Sequence, residues 1–73
     1  MRLDFRIEMY DDMMRADVEQ GMYEIHGGFY PGSDSDPFFV SAFLDGERID
    51  VGNYLNLYDA LEGANDHYEE YTR

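Results

Sequence analysis

Cysteine is absent from the 73 residues, which removes disulfides and thiolate metal sites from consideration. Lysine and tryptophan are absent too, and proline occurs only twice. β-Branched residues are scarce: three Val, three Ile and one Thr. A domain this small has one modest core, and many such domains add a disulfide, a metal or a second subunit to be comfortably stable. Without thiols, packing and association with another chain remain. The longest apolar-rich run, Phe38 to Leu44, falls far short of the ~20 residues a membrane-spanning helix requires. Met1-Arg2-Leu3-Asp4 does not open a charged-then-apolar leader, so the cytoplasm is the expected compartment.

The apolar content is aromatic and flexible instead, with seven Tyr, five Phe and five Met. Aromatics bury much area per residue, and Tyr and Met are also enriched where proteins touch one another. The charge is one-sided. Seventeen Asp and Glu stand against five Arg, for a net charge of −12. Such a field repels nucleic acid and anionic membrane and attracts basic surfaces, most strongly at low salt. It fits three situations: a solvated surface, adaptation to high salt, or recognition of a basic protein groove.

Residues 2–9 alternate. Leu3, Phe5, Ile7 and Met9 point one way and Arg2, Asp4, Arg6 and Glu8 the other, the pattern of a strand with one buried face. Met14, Val18, Met22 and Ile25 recur at four, four and three, which predicts a short helix near 11–20 with Asp11 or Asp12 as cap. Gly21 interrupts that stripe, and an alternative ends the helix near Gln20 and makes Met22–His26 a short strand. Residues 27–37 are dense in turn formers and predict a loop carrying Phe29 and Tyr30.

Asp45-Gly46 between two β-rich runs predicts a two-residue hairpin, with strands 38–44 and 47–52. The turn sets Leu44 opposite Glu47 and carries the register on to Val40 opposite Val51. Phe38, Val40, Ala42, Leu44, Ile49 and Val51 then share a core face. Phe39, Ser41, Phe43, Arg48 and Asp50 share the other, where the two Phe call either for a cover or for a partner. A C-terminal helix over 56–71, capped by Asn56, turns Leu57, Leu61, Ala64, Tyr68 and Tyr71 toward the sheet. The expected fold is α+β: one domain over 1–73, a small antiparallel sheet against the C-terminal helix, and the second short helix near 11–20.

The same helix carries a second stripe, Asp59, Glu62, Asp66 and Glu69, with Glu70 alongside. Successive carboxylates stand roughly 5 Å apart along the axis. Like charges at these spacings destabilise an isolated helix by a few tenths of a kcal/mol per pair. A solvated helix face accounts for them. So does a row of negative charge that copies a nucleic-acid backbone, where phosphates recur every ~3.4 Å along a strand.

Catalytic readings are weaker. None of Ser33, Ser35, Ser41 and Thr72 lies in a nucleophile pattern, and carboxylate pairs are inevitable among seventeen acids. Asp34-Ser35-Asp36 starts like a calcium loop but lacks its Gly and closing Glu, and Asp66-His67-Tyr68-Glu69-Glu70 lacks the Glu-x-x-His spacing of di-iron bundles. No enzyme activity, metal or cofactor is expected.

On its acidic stripe within a compact lone domain, the chain resembles, at the level of class, the small acidic inhibitors that phages encode against host defence, among them nucleic-acid mimics and anti-CRISPR proteins. The resemblance implies a host-cell cytoplasmic inhibitor of a basic nucleic-acid-binding protein or ribonucleoprotein complex, with no direct nucleic-acid or membrane contact. The acids Asp59, Glu62, Asp66, Glu69 and Glu70 would steer, and Tyr58 and Tyr30, with Phe39 and Phe43 behind them, would anchor. The rival expectations are a self-associating accessory protein, a homodimer through the aromatic sheet face, and an ordinary salt-adapted domain.

Overall fold

The computed structural model describes residues 3–8, 13–27 and 38–73. Among these residues, five strands form one antiparallel sheet in chain order: β1 (Arg6–Glu8), β2 (Met13–Val18), β3 (Gly21–His26), β4 (Phe38–Leu44) and β5 (Glu47–Tyr54). One helix, α1 (Leu57–Tyr71), lies across β3, β4 and β5 on a single face.

The hairpin follows its turn. Asp45 and Gly46 take φ of 52° and 82°, the left-handed pair that a type I′ turn requires. Leu44 pairs with Glu47, Phe43 with Arg48, Ala42 with Ile49 and Ser41 with Asp50. Beyond that the expected register slips: Val40 pairs with Gly52, because a bulge lies between Val40 and Ser41. A bulge admits one extra residue on one strand and sharpens the local twist. β5 accordingly runs on to Tyr54, past the expected end at 52.

The expected helix near 11–20 is corrected to a strand. Met13–Val18 is β2, and 21–26 takes the alternative reading as β3; residues 11 and 12 lie outside the described residues. Met14 and Val18 share a face because four residues are two strand periods as well as roughly one helical turn. Ala16 lies between them and is fully buried. Its small side chain hides the period-2 pattern that identifies a strand. The expected strand over 2–9 shortens to Arg6–Glu8, with Leu3–Phe5 outside any strand and residues 1, 2 and 9 outside the described residues.

The core lies between α1 and the sheet. Cross-strand rows read Ala16, Tyr23, Ala42, Ile49 and Met14, Ile25, Val40, Gly52. Tyr23, Ile25, Val40, Ala42, Leu44, Phe38, Ala60 and Ala64 are buried, with Ile49, Val51 and Leu61 partly buried against them. Two small residues, Ala60 and Ala64, bring the helix close to the sheet. Gly63 does the same at the helix edge: a Cβ there would stand 2.1 Å from the Tyr54 hydroxyl oxygen. Close packing thus outweighs the ~1 kcal/mol that glycine costs in a helix interior.

A candidate protein-binding surface on the helix

α1 starts at Asn56, whose side-chain oxygen accepts from the Asp59 amide at 2.8 Å. The Asn56 amide nitrogen donates to the Asp59 carboxylate at 3.2 Å. Together they satisfy groups that a helix N-terminus leaves open, and Asp59 sits at the positive end of the dipole. The other end is electrostatically unfavourable: Glu69 and Glu70 lie in the last turns, where anions oppose the dipole. Arg73 offsets them at 3.9 Å and 3.2 Å.

Tyrosines fix how the helix sits. Tyr68 donates to Gln20 at 2.8 Å, and Tyr71 donates to Asp45. These acceptors belong to the β2–β3 and β4–β5 turns, which are themselves joined by Asp45 N–H donating to Gln20 C=O at 2.9 Å. Inside this clamp, the fully buried Tyr23 shares a 2.5 Å hydrogen bond with His67 Nδ1 and meets the Tyr68 ring edge-on. At mid-helix, Asn65 accepts from the Leu3 amide at 2.6 Å and donates to Leu61 C=O at 2.7 Å. The orientation of α1 is set at both flanks, and so is the face it turns outward.

Burial pushes the Tyr23 phenol up to about 12, helped by Tyr68 and Tyr71. Tyr71 is raised too, first through its hydrogen bond to Asp45. Below pH 10 folded and unfolded chains both hold the Tyr23 proton, and its contribution to stability is complete. From pH 10 to 12 only the folded chain holds it, so stability is lost as pH rises, by on the order of 2–3 kcal/mol. Alkaline denaturation followed by circular dichroism is expected to show this fall, and Tyr23→Phe to flatten most of it. An identical alkaline profile in the variant would contradict the assignment.

The outward face carries the acids. Asp59, Asp66, Glu69 and Glu70 are exposed, and Glu62 is half-buried among them. Over the ten residue steps from Asp59 to Glu69 the ridge spans roughly 15 Å. At its N-terminal end Tyr58 is 70 % exposed, next to Leu55 at 71 %. Leu55 was not apparent from the sequence. It precedes the cap, where an apolar residue commonly staples onto the fourth helical residue, here Ala60. Ala60 is instead buried in the core while Leu55 stays in solvent.

The other expected contact residues do not join this ridge. Phe39 and Phe43 lie on the opposite side of the sheet, half-buried and 48 % exposed respectively. They therefore stand apart from the acidic stripe, across the sheet from α1. Tyr30 lies outside the described residues.

No family model, no curated protein and no solved structure matches the chain. The surface is therefore interpreted from its own chemistry.

That chemistry is segregated. On the sheet face away from α1, Arg6 meets Asp17 at 3.0 Å, Arg15 lies 3.7 Å from Asp17, and Arg48 lies 3.7 Å from Asp50. On the helix, Asp59 and Asp66 have no ion-pair partner among the described residues, and the next arginine in the sequence after Arg48 is Arg73. Among the described residues no three His, Asp or Glu are grouped to hold a metal ion. Where the helix end meets the β2–β3 turn there is a shallow open cleft between Glu19, Gln20, Tyr68, Glu69 and Thr72. No helix of the described residues is long and apolar enough to cross a membrane.

Proposed function

We propose that this protein is an acidic binding protein that blocks a nucleic-acid-binding protein or ribonucleoprotein by laying α1 into its cationic groove, in the manner of a nucleic-acid mimic or anti-CRISPR protein. The observation that carries the reading is the uneven pairing of charge: Asp17 and Asp50 on the sheet face have arginine neighbours, and Glu69 and Glu70 share Arg73 at the helix end, while Asp59 and Asp66 along the helix have no ion-pair partner among the described residues. Holding like charges along one ridge costs stability. A cationic partner repays that cost on binding by supplying the counter-ions.

The acids steer encounter and fix register, and Tyr58 with Leu55 gives the ridge an apolar end to anchor it. The groove must be lined by Arg and Lys over roughly 15 Å, the length of the ridge. Nucleic acid itself is repelled, and the action is occlusion, not chemistry.

Immobilised protein is expected to capture a nucleic-acid-binding protein from bacterial lysate at low salt and to release it as salt rises, through screening. The captured protein should then fail to shift a labelled nucleic acid in a gel while the inhibitor is present. Capture that is indifferent to salt, or of proteins that bind no nucleic acid, would overturn the reading.

A further inference from the structure

β5 is an edge strand: among the described residues its ladder runs to β4 alone. Its far edge therefore presents backbone groups without a strand to meet them. Which groups these are follows from the turn. A two-residue hairpin closes on a hydrogen-bonded pair, here Leu44 and Glu47, and such pairs alternate along an antiparallel ladder. Glu47 and Ile49 thus turn their N–H and C=O toward β4, and Arg48 and Asp50 turn theirs outward. The Arg48 and Asp50 side chains are 65 % and 71 % exposed, so the edge is open where its backbone points out. Ile49 lies on the helix side, partly buried against the core. Past Asp50 the bulge breaks the alternation.

We propose that this edge pairs with the same edge of a second copy of this chain, antiparallel about a two-fold axis at Ile49. The axis sets Arg48 opposite the partner's Asp50, and Asp50 opposite the partner's Arg48, so opposite charges meet twice. These are also the residues whose backbone groups point outward. Both are then hydrogen-bonded pairs, which exchange about four main-chain bonds. Ile49 meets the partner's Ile49 in the position between, where Cα atoms approach to ~4.5 Å and side chains lie closest.

The alternatives are excluded one by one. A slip of one residue sets outward groups against inward ones and loses the bonds. A slip of two keeps the bonds but sets Arg48 against the partner's Arg48, or Asp50 against the partner's Asp50, and like charges directly opposite are destabilising. Charges on an edge strand commonly deter pairing. Here they deter every register but one, and that one belongs to an identical strand. The pairing is short and each copy carries a net charge of −12, so the dimer is weak, with a dissociation constant on the order of 0.1–1 mM that falls as salt screens the repulsion. It uses the sheet edge and not the α1 ridge, so it does not depend on the proposed function.

Sedimentation equilibrium of the full chain up to roughly millimolar concentration tests it. The expected result is a monomer–dimer equilibrium that tightens with salt. Arg48→Asp alone and Asp50→Arg alone each set like charges across the axis, and each should weaken it at least tenfold. The double variant Arg48→Asp with Asp50→Arg leaves the net charge unchanged and should dimerise like the original chain. An equimolar mixture of the two single variants should associate again, as a heterodimer. Circular dichroism checks that these exposed substitutions leave the fold intact. A monomer throughout the range, a dimer indifferent to the single reversals, or losses that neither the double variant nor the mixture restores would overturn the inference.

Discussion

Replacing Gly21 with alanine is expected to destabilise the fold by about 2–4 kcal/mol, although the residue is at the surface. Gly21 opens β3 at φ of 156° and pairs with Leu44 of β4. A Cβ built there falls 1.8 Å from the Phe43 carbonyl oxygen and 2.9 Å from its carbon. Both are backbone atoms of a central strand, so no rotamer change relieves the contact. The strand must shift, and Leu44 and Ala42, buried on the helix side, shift with it. Total stability for a chain of this size is about 4–11 kcal/mol, so one methyl group removes a large part of it. Urea unfolding measures the loss. A midpoint unchanged by the substitution would mean that β3 and β4 are not this close.

The second large effect separates binding from folding. Reversing Asp59, Glu62, Asp66 and Glu69 to Lys adds two charges at each position, so four reversals take the net charge from −12 to −4. On the proposed function, four attractive contacts become repulsive, and affinity for the captured partner is expected to fall by more than about 100-fold. Stability should change by no more than about 2 kcal/mol, since the effects oppose one another. Three of the four side chains are exposed, and like-charge repulsion along the helix is removed. Opposing this are the loss of the Asp59 contact to Asn56, of its favourable place at the positive end of the helix dipole and of the Glu69–Arg73 ion pair, each worth about 1 kcal/mol or less at the surface. Thermal unfolding alongside titration against the partner gives both values. Binding retained by a folded variant would remove the ridge from the mechanism.

The hairpin and the C-terminal helix were legible in the sequence because each carries its own punctuation. Asp45-Gly46 admits one turn type, and that turn fixes four successive pairs correctly. Asn56 announces the helix start and caps it. The register failed at Val40, where the bulge has no marker that a period-2 pattern reveals. The helix near 11–20 failed because Ala16 carries too little hydrophobicity to show that every second residue faces inward. The acidic ridge was legible because solvent exposure leaves its period intact. What the sequence could not show is how the named side chains divide between the two faces. Tyr58 stands with the ridge, but Phe39 and Phe43 belong to the far side of the sheet, and only the layering of α1 on β3–β5 separates them. The contact between Tyr23 and His67 joins residues 44 apart in sequence and has no local signature.

On the proposed function, position and not total charge makes the helix acids a recognition surface. Two variants matched in net charge decide it: Asp59→Asn with Asp66→Asn on the helix, and Asp17→Asn with Asp50→Asn on the sheet face. Equilibrium titration against the captured partner at one fixed salt concentration is expected to show at least a tenfold loss for the helix pair and near-native affinity for the sheet pair. Equal losses would make the charge a diffuse field with no address, and the helix a solvated face like any other.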